Sequence, residues 1–139
     1  MESLIFKFHL LCSLYMLGLI WFVQLVHYPL FAEVGRDCFV AYARHHTRRT
    51  SWVTAPMMLL ELGSAVLLVY FNQRSGFFWA NLAGIALLWL STFFIQVPLH
   101  NRLVRVYDPV AVKKLVQTNW LRTLIWTIRA VALLYLLDY

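Results

Sequence analysis

The residues of this chain best suited to chemistry are few, and several are charged where charge is costly. Glu61 stands about ten residues into an apolar run, or ~15 Å along a helix at ~1.5 Å per residue. Arg122 and Arg129 interrupt another such run. Ionisable groups inside apolar spans usually face a bundle interior, where they pair or mark a site. Arg129 lies about as deep in its run as Glu61 in its own, and the two runs point the same way. The spacing therefore predicts a Glu61–Arg129 pair, direct or through water. Such a pair either fixes helix register or works as an acid, a base or a ligand. Arg122, Trp126 and Arg129 fall on one helical face. A second guanidinium on that face suits an anionic headgroup or a carboxylate.

Histidine is the other candidate. His27 and His100 lie at corresponding ends of their runs, and His45 and His46 sit in a loop at the same level. Imidazoles joined by a carboxylate suit zinc, iron or copper, so His27, His46, Glu61 and His100 form a candidate metal set. His27 opposite His100 is alternatively a haem clamp, with arginines for the propionates. The plainer reading bonds each histidine to a carbonyl or a headgroup. His46 shares a face with Phe39 and Tyr42, His45 faces water, and His9, near the far end of the first run, stands apart. Gln96, Asn101, Tyr107 and Asn119 add neutral hydrogen bonders: ligand contacts, or partners for backbone loosened at Pro29 and Pro98.

The elements that must hold these residues are read from composition. The chain has 139 residues, 62% of them hydrophobic and 13% charged, with mean hydropathy +0.68. A soluble domain of that size has too little interior to hide so much apolar surface. The expected fold is all-α: a single four-helix transmembrane bundle with spans at about 4–31, 51–71, 77–97 and 119–137. A short interfacial helix is expected in loop one and another before span four, where Asp108 caps and Pro109 takes the first helical position. Pro56 is expected to kink span two. The first window is too long for a signal peptide and lacks a small-residue cleavage site. Cys12 and Cys38 fall at different depths, which predicts no disulfide.

Charge sets orientation. Loops one and three hold Arg36, Arg44, Arg48, Arg49, Arg102, Arg105, Lys113 and Lys114, against Lys7 and Arg74 on the other side. The positive-inside bias makes those loops cytoplasmic and puts both termini outside. The net charge of +6 then belongs to topology and anionic lipid, and no nucleic-acid motif accompanies it. "FVQLVHYPLF" and "FIQVPLHNRL" close spans one and three with a similar pattern, a weak internal repeat.

The stretch "VPLHNRL…YDP…NWLRT" resembles the anthrone-oxygenase-like family of small four-span membrane proteins, through Val97, Pro98, Leu103, Asn119, Arg122 and Thr123. His100 stands where that family usually has Asn. The resemblance implies a four-helix bundle and, in some members, oxidation of polycyclic anthrones; no cofactor is implied.

Several functions follow as expectations. In one, a hydrophobic small molecule or lipid-like quinone enters a polar pocket on the cytoplasmic side. Glu61 or His100 removes a proton and Arg122 steadies the oxyanion, as in an oxidoreductase. Gln96, Asn101, Tyr107, Asn119, Trp126 and Arg129 would contact the ligand. The alternatives are an accessory subunit of a membrane complex, a haem or metal electron carrier, and a transporter that must oligomerise.

Overall fold

A computed structural model describes residues 2–138. Among these residues every regular element is helical. The first rod is α1 (Glu2–Phe22), extended by a π turn at Val23–His27 and a 3-10 turn at Pro29–Glu33. The second is α2 (Arg36–Phe71). The third runs through α3 (Gly76–Ser91), a π turn at Thr92–Gln96 and α4 (Val97–Leu103). The fourth is α5 (Pro109–Tyr135), ending in a 3-10 turn at Leu136–Asp138. α1 packs on α2 and α5, and α3 packs on the same two helices.

Three rods are long and apolar enough to cross a membrane: Glu2–Glu33, Arg36–Phe71 and Gly76–Leu103. The fourth is not among them, because Arg122 and Arg129 interrupt its apolar half.

Two expected boundaries are corrected. The loop-one helix is not separate: it is the first part of α2, which runs unbroken for 36 residues, or ~54 Å. No glycine or proline separates Arg36 from Pro56. At Pro56 the ring removes one backbone donor, yet α2 continues. Upstream, the hydroxyls of Ser51 and Thr54 donate to the carbonyls of Thr47 and Thr50. The helix expected before span four is likewise the beginning of α5, since nothing breaks the chain between Pro109 and Asn119. The cap there is as the sequence indicates. Asp108 Oδ1 accepts from the backbone N–H of Val110 at 2.9 Å and of Ala111 at 3.2 Å.

The two π turns occupy equivalent places in the sequence repeat, each just before a proline. The Tyr28 N–H bonds the Val23 carbonyl, and the Val97 N–H bonds the Thr92 carbonyl, each five residues back. The extra residue in the turn rotates the following segment, and such bulges gather at functional sites.

Packing divides the interior into levels. At the end carrying the basic loops, Tyr28, Phe31, Phe39, Leu103 and Leu115 form one apolar cluster. Removing Phe31 and Phe39 from water stabilises by ~1.5–3 kcal/mol each. In the middle, Met16, Ile20, Met58, Leu88 and Trp126 form a second. Polar groups fill a layer on either side of this middle cluster. The outward faces are apolar, with Leu11, Leu25, Leu59, Phe93, Phe94, Ile128 and Val131 exposed.

Candidate functional site

The layer toward the termini is centred on Glu61, which is 1% exposed. Its Oε1 accepts from Arg129 Nη1 at 2.8 Å and from the Ser13 hydroxyl at 2.8 Å; its Oε2 accepts from Trp126 Nε1 at 3.1 Å. Arg129 Nε donates to Asn81 Oδ1 at 3.0 Å. With that oxygen committed, Asn81 Nδ2 donates to His9 Nε2 at 3.0 Å. His9 Nδ1 then carries the proton and donates to the Ser64 hydroxyl at 2.8 Å. Ser64 donates to the carbonyls of Leu60 and Glu61. Four helices thus contribute to one closed network. Gly84 lets it form: a Cβ there would stand 2.7 Å from Arg129 Cδ, so the arginine stem crosses α3 only where a side chain is missing.

The layer toward the basic end is centred on Arg122, which is 7% exposed. Its Nη1 donates to Asn119 Oδ1 at 3.2 Å, and its guanidinium lies 5.1 Å over the Trp126 ring. Asn119 Nδ2 donates to Gln24 Oε1 at 3.0 Å, which also receives the Thr123 hydroxyl at 3.4 Å. Gln24 Nε2 donates to the Val116 carbonyl. The π turn thereby aims Gln24 at α5, and this chain holds Asn119 with its oxygen toward the guanidinium. Arg122 Nε has no hydrogen-bond partner, and among the described residues no carboxylate pairs with Arg122.

Arg122 borders a cavity of about 130 Å³ between α2 and the third rod. α2 contributes His46, Thr47, Thr50, Ser51 and Thr54; the third rod contributes Thr92, Gln96, His100 and Asn101. Met16, Ile20 and Met58 close its deep side, and Tyr28 completes the wall. Among the described residues, Arg122 is the one arginine or lysine lining it. The histidines stack along one edge. His27 Nε2 and His46 Nδ1 are 2.5 Å apart, and Thr50 Oγ1 is 3.1 Å from the same His46 nitrogen. The His46 and His100 rings stack at 5.6 Å, and His100 Nε2 lies 3.1 Å from the Tyr28 hydroxyl.

The sequence-derived site therefore divides. His46, Gln96, His100, Asn101 and Arg122 meet at the cavity; His27 joins through His46, and Asn119 and Trp126 through Arg122. Glu61 and Arg129 do form the expected pair, but in the other layer. Two expected roles for Glu61 are corrected by this. As a base it has no access to the cavity, because three donors from two other helices enclose it. As a metal ligand it is remote from the imidazoles, and among the described residues no group of three or more His, Cys, Asp or Glu is placed to hold an ion. His27 and His100 do not face each other across an open space. His46 and Phe31 pack against both His27 and His100, filling the space a porphyrin would need. Tyr107, expected to contact the ligand, is not in the cavity lining; it packs on Phe39 at 4.8 Å and under Arg36.

His9, expected to stand apart, is fully buried in the Glu61 network. Ser13, Ser64, Asn81 and Gly84 were also outside the sequence reading. The available signal was a polar stripe on each of three apolar helices: His9 with Ser13, Glu61 with Ser64, and Asn81 with Gly84. Cys12 is buried and Cys38 exposed, both as free thiols.

No family model, no curated protein and no solved structure matches this chain.

Proposed function

We propose that the chain is a single-domain, four-helix transmembrane bundle whose cavity binds an amphipathic molecule with an anionic head on Arg122. The ligand tail lies toward lipid between the second and third rods. The exposed apolar faces support insertion, being far more extensive than the patches of water-soluble monomers. The fourth helix crosses despite its arginines because both point inward. The basic loops support a cytoplasmic location for the cavity end, with both termini outside.

One observation carries the reading: Arg122 is buried, lines a cavity and, among the described residues, has no carboxylate partner, its polar neighbours being neutral Asn119 and the Tyr28 phenol. An uncompensated guanidinium inside a membrane protein costs several kcal/mol. Arg129, seven residues later on the same face, shows the ordinary solution, a buried carboxylate. A ligand carboxylate supplies the same partner to Arg122, with charge-assisted hydrogen bonds of ~2.7–2.9 Å. The stretch that resembles the anthrone-oxygenase-like proteins supplies Pro98, Asn119, Arg122 and Thr123, which shape the cavity or brace its cation.

The test is equilibrium binding of laurate to the protein in phosphatidylcholine nanodiscs. Wild type binds. R122Q, which loses a charged hydrogen bond of ~1.5–3 kcal/mol, binds roughly 10- to 100-fold more weakly. Equal binding by both would remove the proposal.

A further inference from the structure

Besides Arg122, two cavity-lining residues have a buried polar atom without a partner, the Thr47 hydroxyl and Gln96 Oε1, and the second is a pure acceptor. Gln96 is 2% exposed. Its Nε2 donates to Thr118 Oγ1 at 3.1 Å, and Thr118 itself donates to the Lys114 carbonyl at 2.7 Å. Thr118 has therefore used its proton, and only the amide nitrogen of Gln96 can face it, so the amide orientation is settled by the network. Gln96 Oε1 is left buried with no donor. The π turn at Thr92–Gln96 ends on this residue, just as the earlier π turn places Gln24. Gln24 differs in having its oxygen filled, by Asn119 Nδ2.

Two residues of the cavity lining thus each hold a buried polar atom without a partner: a cationic donor, Arg122 Nε, and a neutral acceptor, Gln96 Oε1. A buried polar atom without a partner costs ~1–3 kcal/mol, so an occupant that meets both is favoured over one that meets only the cation. The volume, about 130 Å³, equals roughly four waters at ~30 Å³ each. That is room for a small head group, with any long tail outside it. No second cation lines the cavity, so a single negative charge is matched and a dianion is not.

Resting on the anionic-amphiphile reading above, we infer that the head group is a carboxylate with a hydrogen-bond donor one or two atoms away. N-acyl amino acids and 2-hydroxy fatty acids share this chemistry. The carboxylate takes Arg122 Nε–H, and the amide N–H or hydroxyl donates to Gln96 Oε1.

The experiment compares N-lauroylglycine with N-lauroylsarcosine, which replaces the amide N–H by N–CH₃, and 2-hydroxydodecanoate with laurate. Binding is measured to the full chain in phosphatidylcholine nanodiscs. Wild type binds each donor-bearing probe roughly tenfold more tightly than its donor-free partner. Q96L removes that preference, so that each donor-bearing probe binds it no more tightly than its donor-free partner. Equal affinity within both pairs for wild type overturns the inference without any variant. So does a preference that survives in Q96L. If laurate binds wild type and R122Q alike, the underlying pocket reading fails, and this inference with it.

Discussion

Trp126 donates its indole N–H to the Glu61 carboxylate at 3.1 Å, while the opposite polar layer rests on its ring, with the Arg122 guanidinium 5.1 Å from the centroid. One side chain of α5 therefore touches a buried charge in each layer, Glu61 of α2 and Arg122 of α5 itself. W126F keeps an aromatic ring but deletes the N–H together with the pyrrole half of the indole. It should lower stability by ~1–3 kcal/mol, the cost of an unfilled acceptor on a buried carboxylate. Laurate affinity should stay within about twofold, since the cation–π contact survives. Thermal unfolding and binding on the same nanodisc samples check both halves.

Breaking the Glu61–Arg129 pair on one side should be worse than removing it. E61Q leaves a buried guanidinium uncompensated and should cost ~3–5 kcal/mol. E61Q combined with R129Q leaves two neutral groups and should recover a substantial part of that loss. A double-mutant cycle on unfolding free energies measures the coupling. Additive losses would show that the pair does not act as a unit.

Gly84 should be intolerant of even one methyl group. The added Cβ would meet Arg129 Cδ at 2.7 Å, so either α3 or the arginine must shift. G84A should destabilise by ~1–3 kcal/mol, as overpacking does. The same substitution placed beside R129A should cost less, because the obstructing Cγ and Cδ are gone. Melting temperatures of the four variants decide this.

Orientation can be read with an impermeant thiol reagent. Cys38 is exposed at the basic end, and R74C puts a thiol in the turn at the other. On intact cells the reagent should label R74C and spare Cys38; on inverted vesicles the pattern should reverse. Labelling of Cys38 from outside would overturn the assigned topology.

The legible and illegible parts of this protein divide for physical reasons. Glu61 and Arg129 could be paired from sequence because charges in apolar spans are rare and parallel helices compare depths directly. Asp108 and Pro109 gave a cap by local chemistry alone. The fusion of the loop-one helix with α2 was obscured because charge, not any helix breaker, marks that boundary. His9, Ser13 and Asn81 were missed because single neutral groups in an apolar span look like background; only their shared stripes point inward. The separation of the imidazoles from Glu61 is axial: His46 and Glu61 share the unbroken α2 but stand ~22 Å apart along it at ~1.5 Å per residue. Proline at Pro29 and Pro98 marks where the π turns lie, not which way they aim Gln24 and Gln96.

The anion site at Arg122 is tested most directly by a crystal structure grown from a lipidic mesophase with N-lauroylglycine. The account predicts carboxylate oxygen ~2.7–2.9 Å from Arg122 Nε and the acyl chain leaving between α2 and the third rod. A guanidinium turned away to water or headgroups, with the ligand bound elsewhere or not at all, would contradict it.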